Sequence, residues 1–174
     1  FASDTFRFQN TVSNTTNVRL FTNRVFRDTS AWYHIVISYD STVSTPDTNS
    51  IQMYVNGVKE TSFSATIYPS QNQDTFVNDD ALHTIGRRSD GASNYFDGQM
   101  SHVHLIDGTA YDASAFGSTD ATTGEWKINT SPSVTYGTNG FFILKDGNSV
   151  TDQSGNSNNF TVGGGTLTKT EDSP

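Results

Sequence analysis

The sequence predicts an all-β chain folded as an antiparallel two-sheet β-sandwich with jelly-roll character. Three observations carry this expectation. Aromatic residues make up 12% of the 174 positions, with Phe 12 and Tyr 7, while hydrophobic residues of every kind reach only 33%, so rings must fill much of the core. Rings and β-branched side chains fit a pleated, half-buried surface better than a helix face. Apolar runs are short and often alternate with polar residues, the period of a strand with one buried face, and no stretch repeats at helical spacing. Between the runs lie Ser, Thr, Asn, Asp and Gly, which close turns through local hydrogen bonds or positive φ. At this length one domain with a substantial core is expected. It is assigned to residues 1–162, with the Gly-rich segment 163–174 as a linker or edge.

In chain order, residues 5–9 (TFRFQ) and 18–26 (VRLFTNRVF) are the first strand candidates. Alternation resumes at Trp32, with Tyr33, Ile35, Ile37 and Tyr39 on one face and Trp32, His34, Val36 and Ser38 on the other. Apolar groups on both faces predict a central strand. A polar loop around Pro46 follows. In IQMYVNGVKETSF (51–63), Asn56-Gly57 sits between two β-rich runs, and both residues tolerate the positive φ of a type I′ turn, so a hairpin is predicted. Residues 65–80 read as a long connection in which Pro69 prevents regular pairing. Residues 81–88 (ALHTIGRR) and 95–108 (YFDGQMSHVHLIDG) read as strands joined by the polar turn SDGASN. Residues 107–125 read as loop, with one short helical turn at 113–116. Trp126–Ile128, 140–145 and 159–167 complete a set of roughly nine to ten short strands, too many for one open sheet without curling or splitting into two layers.

The net charge of −8 argues against nucleic acid as a partner, since phosphate binders cluster Lys and Arg, and the nearest approach to a cluster here is Arg87-Arg88. Absence of cysteine excludes disulfides and thiolate zinc sites. No stretch approaches the roughly 20 apolar residues of a membrane-spanning helix, so membrane insertion is not expected. A start at Phe1 and an end at EDSP read as a piece cut from a longer polypeptide.

Candidate chemistry is sparse. His102 and His104 would lie on one face of a strand about 7 Å apart, and a metal there would need a third ligand from elsewhere. Calcium is the cofactor worth weighing, because residues 146–159 (DGNSVTDQSGNSNN) are rich in oxygen ligands, with Asp146, Asp152 and Asn156 as candidates, although the segment lacks the spacing and final Glu of an EF-hand loop. No G-x-S-x-G elbow occurs, and Asp and Glu fall almost entirely in turns rather than on paired strand positions, so a non-enzymatic role is expected. Sugar binding on a β-sandwich needs rings that stack on a pyranose, and Tyr95, Tyr111, Trp126 and Tyr136 are the candidates. N-x-S/T triplets occur at Asn14, Asn129 and Asn159.

Seven blocks in order carry a resemblance. They are FRDTSAWYHIV, YVNGV, YPSQNQDT, HTIGRRSD, YFDGQMSHVHLIDGTAYDASAFGSTDATTGEWK, YGTNGFFI and DQSGNSNNF. Together they resemble laminin-G-like, concanavalin A-like jelly-roll domains, and more narrowly the tail-fibre and virion structural proteins of tailed bacteriophages of marine bacteria and cyanobacteria. The resemblance implies a virion module with Trp32 and His34 as sandwich residues rather than catalysts. Its implied role is recognition of a host-surface glycan, with capsid or fibre decoration as the alternative and glycoside hydrolysis third. The implied partners are other virion proteins and further copies of the chain, as a trimer. Relatives usually carry additional strands before the segment matching residues 1–10, so upstream residues or a neighbouring subunit are expected to complete one sheet. The matching blocks are framework, and no functional residue is carried across by position.

Overall fold

The computed structural model describes residues 4–45, 47–88, 95–147 and 149–170. The expectations placed on Pro46, on the SDGASN turn and on the two termini therefore lie outside the described residues. Ten strands are described: β1 (Thr5–Val12), β2 (Thr15–Val25), β3 (Ile35–Tyr39), β4 (Ile51–Val55), β5 (Val58–Lys59), β6 (Phe63–Ile67), β7 (Val103–Leu105), β8 (Gly117–Thr119), β9 (Trp126–Ile128) and β10 (Phe141–Ile143). Every pairing is antiparallel, and the described residues contain no α-helix. The fold is all-β, as the sequence predicts. Two compact units are formed, one from the described residues up to Asp74 with Ala110–Val134, the other from Thr75–Thr109 with the described residues from Thr135 onward.

The first unit holds two three-stranded sheets, ordered β1-β2-β6 and β3-β4-β5. Strands β1 and β2 join through Ser13 and Asn14, both at positive φ (48° and 64°), the twist that a tight hairpin requires. Along β2 the side chains of Val18, Leu20 and Thr22 are buried, and along β4 those of Ile51, Met53 and Val55. This period of two aims one face of each sheet at the other. Val18, Leu20, Ile51 and Met53 form a single buried cluster, with Phe6, Phe8, Ile37, Tyr39, Phe63 and Tyr68 packed against it. Each fully buried aliphatic side chain stabilises the folded state by roughly 1.5–3 kcal/mol relative to exposure. Polar groups that enter this layer are paired: the Thr22 hydroxyl donates to the Arg24 carbonyl and accepts from the Phe6 amide, and the buried Glu60 carboxylate meets Arg24 Nε at 2.8 Å. On the opposite face of β2, Phe21 carries the guanidinium groups of Arg7 and Arg19 at 4.7 and 5.1 Å from its ring centre.

Trp126 closes the outer side of the β4–β5 turn. Asn56 and Gly57 adopt φ of 48° and 77°, as the hairpin reading expects. A Cβ at Gly57 would fall on the Trp126 ring, and a Cβ at Gly117 would lie 2.7 Å from it and 2.6 Å from the Lys127 carbonyl. The indole thus occupies space that only glycine leaves open at both positions. Its Nε1–H donates to His34 Nδ1 at 3.0 Å, and the two rings stack at 5.8 Å. Because indole nitrogen only donates, Nδ1 of His34 carries no proton. Burial lowers the His34 pKa from its ordinary value of 6.5, favouring that neutral form. The expected helical turn is present as a 3-10 turn at Ala113–Ala115, capped by the Asp112 side chain accepting from the Ser114 amide at 2.9 Å.

Several expectations are corrected. The strand predicted from Trp32 begins at Ile35, because His34 already exchanges hydrogen bonds with Asn56, its amide to Asn56 Oδ1 at 2.8 Å and its carbonyl from the Asn56 amide at 2.9 Å. Strand β4, not β3, is the middle strand of its sheet. Two apolar faces report what lies above and below a strand, not what pairs with its edges. Residues 65–67 extend β6 into the segment read as a connection, and β8 forms within the segment read as a loop. Residues 81–88 form no ladder: the His83 ring bonds the carbonyls of Phe76 and Ala81, the Thr84 hydroxyl bonds the Arg87 carbonyl, and Leu82 stays 71% exposed. Side-chain bonds to nearby backbone compete with sheet pairing. Of residues 95–108 only Val103–Leu105 is strand, and His102 at φ 51° breaks the pleat that would have aligned it with His104. Residues 159–167 form no strand, and positions 161–167 are all exposed.

Gly57→Ala is expected to lower stability by about 2 kcal/mol or more, since positive φ alone costs a side chain roughly 1–2 kcal/mol and the indole must also move. Urea unfolding measures this, and a loss under about 0.5 kcal/mol would contradict the packing described. Acidification is expected to destabilise the fold through His34. The unfolded chain takes up a proton near pH 6.5 while the folded site resists until a lower pH, so stability is full above about pH 6.5 and declines below it. The urea midpoint should fall between about pH 7.5 and pH 5.5, and fall less in His34→Gln, which keeps an acceptor but does not titrate. Equal slopes in both proteins would refute the assignment.

Candidate functional site

The second unit is built on one short ladder, with Phe141 opposite Leu105, Phe142 opposite His104 and Ile143 opposite Val103. Phe142 and Ile143 are buried. Around Phe142 the rings pack closely: His104 stacks on it at 3.9 Å, His102 lies at 5.8 Å, and Tyr136 stacks on His104 at 6.0 Å. The Tyr136 hydroxyl meets His104 Nδ1 at 2.9 Å. Its pKa is pushed up to about 12, first by burial and then by the negative charge of Asp152. His102 is held below its ordinary pKa by burial and then by the Lys145 ammonium, while Asp146 acts in the opposite direction. Both histidines therefore serve the ring cluster, and among the described residues no group of three or more His, Asp or Glu side chains could hold a metal ion.

Asp152 fixes the loop that follows. Its carboxylate accepts from the amides of Phe142, Ser154 and Asn158 at 2.8, 2.9 and 2.9 Å and from the Ser154 hydroxyl at 2.7 Å. Burial pushes this carboxyl up, yet the four donors outweigh it and hold the pKa below the ordinary value. Asn156 and Asn158 then reach back to the preceding turn. The Asn156 amide donates to the Gly137 and Gly140 carbonyls at 2.6 and 2.9 Å, and the Asn158 amide to Thr138 and Gly140 at 3.0 and 2.9 Å. Of the three calcium candidates, Asp152 and Asn156 thus share one loop with these atoms engaged in protein hydrogen bonds, and Asp146 is exposed.

Beside this loop lies a cleft of about 490 Å³. That volume falls within the roughly 300–1,000 Å³ of small-ligand sites. The first unit contains a smaller hollow of about 190 Å³, lined by core residues such as Ile51, Met53 and Phe63, which is too tight for the same purpose. The cleft's apolar wall is Leu105, Phe141 and Phe160, the two phenylalanines meeting edge to face at 4.8 Å. Its polar lining comes from two loops. Asn78, Asp79, Asp80 and His83 belong to the segment before β7, and Asn139, Asn158 and Asn159 to the turns flanking β10. Asp107 ties these loops together, its carboxylate accepting from the Asn78 amide at 2.8 Å and from the Asn139 backbone at 3.1 Å. The arrangement offers apolar ring surface, carboxylates and side-chain amides to one ligand, the mixture by which polyhydroxylated molecules are held.

None of the four rings proposed from sequence lines this cleft. Tyr111 and Trp126 belong to the first unit, Tyr95 and Tyr136 to the second. Tyr111 packs edge to face on Phe116, Trp126 on His34, and Tyr136 on His104, while Tyr95 is 64% exposed. Sequence reasoning passed over the cleft's own residues. The run Asn78-Asp79-Asp80 was the available signal, three polar side chains directly after an apolar pair, but its approach to residues 139–160 depends on the β7–β10 pairing.

Comparison with curated proteins and with solved structures gives no significant match. A family model described as the concanavalin A-like lectin/glucanases superfamily matches residues 1–115. The match takes in both three-stranded sheets and the Asn78–His83 side of the cleft. With two facing antiparallel sheets around one buried apolar cluster already described, the conclusion is direct: the chain belongs to the concanavalin A-like lectin/glucanase superfamily.

Proposed function

We propose that this chain is a non-enzymatic glycan-recognition module of a tailed-bacteriophage virion, carried on a tail fibre or another surface appendage. The observation that carries the glycan part is the cleft of the second unit, with Phe141 and Phe160 beside the carboxylate of Asp80 and the amides of Asn139 and Asn159. In this reading the two phenylalanines take the stacking role, the loop side chains address hydroxyl groups, and exposed Tyr95 is a further contact for a long ligand. Membership in a superfamily named for lectins and glucanases supports the substrate class. The virion part is supported by the seven ordered sequence blocks, and the net charge of −8 supports a partner other than nucleic acid. A non-catalytic role is favoured because the carboxylates of the cleft's described lining, Asp79 and Asp80, are sequence neighbours on one loop, with Asp79 Oδ1 already bonded to the Asp80 amide, and no described carboxylate lines the opposite wall. Calcium, if bound, would have to displace existing hydrogen bonds of Asp152. Assembly into a trimer with other virion proteins completes the proposal, and light scattering on the purified chain reads the copy number.

The labelled chain is expected to adsorb to host cells and to bind polysaccharide on a glycan array without releasing reducing sugar. Phe160→Ala and Asn139→Ala should each weaken binding about tenfold, equivalent to about 1.4 kcal/mol. A folded chain that binds neither cells nor any arrayed glycan would overturn the recognition role and leave capsid or fibre decoration as the function. Release of reducing ends would instead establish a glucanase.

A further inference from the structure

We propose that the cleft of the second unit selects uncharged glycan residues and rejects anionic ones, so that its ligand is a neutral polysaccharide rather than one bearing uronic acid, sulfate or phosphate. This inference rests on the glycan reading above and narrows its substrate class.

The described lining of the cleft contains the carboxylates of Asp79 and Asp80 and the amides of four asparagines, and it contains no lysine or arginine. Recognition of carboxylate, sulfate or phosphate draws on guanidinium or ammonium donors, which give short charge-assisted hydrogen bonds. The one lining side chain able to carry positive charge is His83. Both its ring nitrogens are turned to backbone, Nδ1 to the Ala81 carbonyl at 2.7 Å and Nε2 to that of Phe76 at 2.9 Å. Neither faces a ligand.

The acidic groups have the opposite disposition. Asp79 Oδ1 accepts from the Asp80 amide at 2.8 Å, which fixes the backbone between them. The Asp80 carboxylate receives no hydrogen bond or ion pair from the described residues. An exposed carboxylate is an acceptor in want of donors, and a neutral sugar presents hydroxyl donors on adjacent carbons. The Asn139 side chain, engaged with no described residue, can donate to one sugar oxygen and accept from another. Phe141 and Phe160 supply ring surface for the C–H face of the pyranose. An anionic sugar seated here would place its charge beside two carboxylates, with no lysine or arginine in the described lining and with both His83 nitrogens already turned to backbone carbonyls. At physiological salt the screening length is about 8 Å, so charges closer than that inside one cleft still repel, and added salt weakens the effect. The net charge of −8 on the whole chain slows approach of a polyanion further.

The test uses the full chain and two matched pairs of oligosaccharides of equal length: β-1,4-mannan against β-1,4-mannuronate, and β-1,4-glucan against β-1,4-glucuronate. Each pair differs only in oxidation at C6. Calorimetry should show the neutral member of a bound pair at least about tenfold tighter, with the ratio shrinking as salt is raised from about 0.05 to 0.5 M. In Asp79→Asn/Asp80→Asn the ratio should narrow towards unity, whatever happens to the neutral affinity. Equal or tighter binding of the uronates overturns the selectivity while leaving glycan recognition standing. A ratio indifferent to salt and to the double substitution overturns its electrostatic cause. If neither class binds here and the array is also blank, the glycan reading itself falls.

Discussion

The contact between β2 and β4 sets the terms for the first unit. Val18 and Leu20 from one sheet meet Ile51 and Met53 from the other, and these four side chains are almost wholly withdrawn from water. A chain with so few aliphatic residues must place each of them well. Around that small aliphatic centre the larger rings of Phe6, Phe8, Tyr39, Phe63 and Tyr68 need only be partly covered, since a ring buries much area even when one edge stays wet. The register follows from the same contact. A shift of one residue along β4 would replace Ile51, Met53 and Val55 on the inner face by Gln52 and Tyr54, exchanging an apolar face for a polar one.

What the sequence revealed and what it hid divide along a physical line. Features fixed by neighbouring residues were legible: the Asn56-Gly57 turn, the alternation that aligns Ile35, Ile37 and Tyr39, the short turn after Asp112, and the strands at Trp126 and Phe141. Features fixed by distant partners were not. Residues 81–88 look like a strand by composition, but His83 finds carbonyl partners two and seven residues away, and those bonds bend the backbone out of any ladder. Gly117 looks like a breaker in a loop, yet it belongs to β8 because the edge of Trp126 requires a residue without a Cβ there. The candidate site was the least legible part, since its two loops lie some sixty residues apart on the chain and are linked by the Asp107 carboxylate, which bonds to both.

The two units solve the same problem with different means. In the first, apolar contact between sheets dominates, and the buried Thr22 hydroxyl and Glu60 carboxylate are paired with neighbouring chain. In the second, the ladder is only three residues long on each side, and hydrogen bonds from side chains to backbone take over. Asp152 gathers four donors, and the asparagines at 156 and 158 occupy three carbonyls, Gly137, Thr138 and Gly140. These side chains do for the loops what a longer sheet does elsewhere, and they explain why a segment so rich in Ser, Asn and Gly adopts one shape. His34 in the first unit belongs to this pattern too, its amide and carbonyl both meeting Asn56 and its ring meeting Trp126.

Among the described residues, Asp79, Asp80 and Asn139 stand outside every ladder, and the Asp80 and Asn139 side chains hold no other described residue in place. Evolution can therefore exchange these side chains freely, because no packing or register is lost when they change. The lining of the cleft can thus vary by a handful of codon changes at those positions, while the frame beneath, anchored through Asp107 and Asp152, is inherited intact.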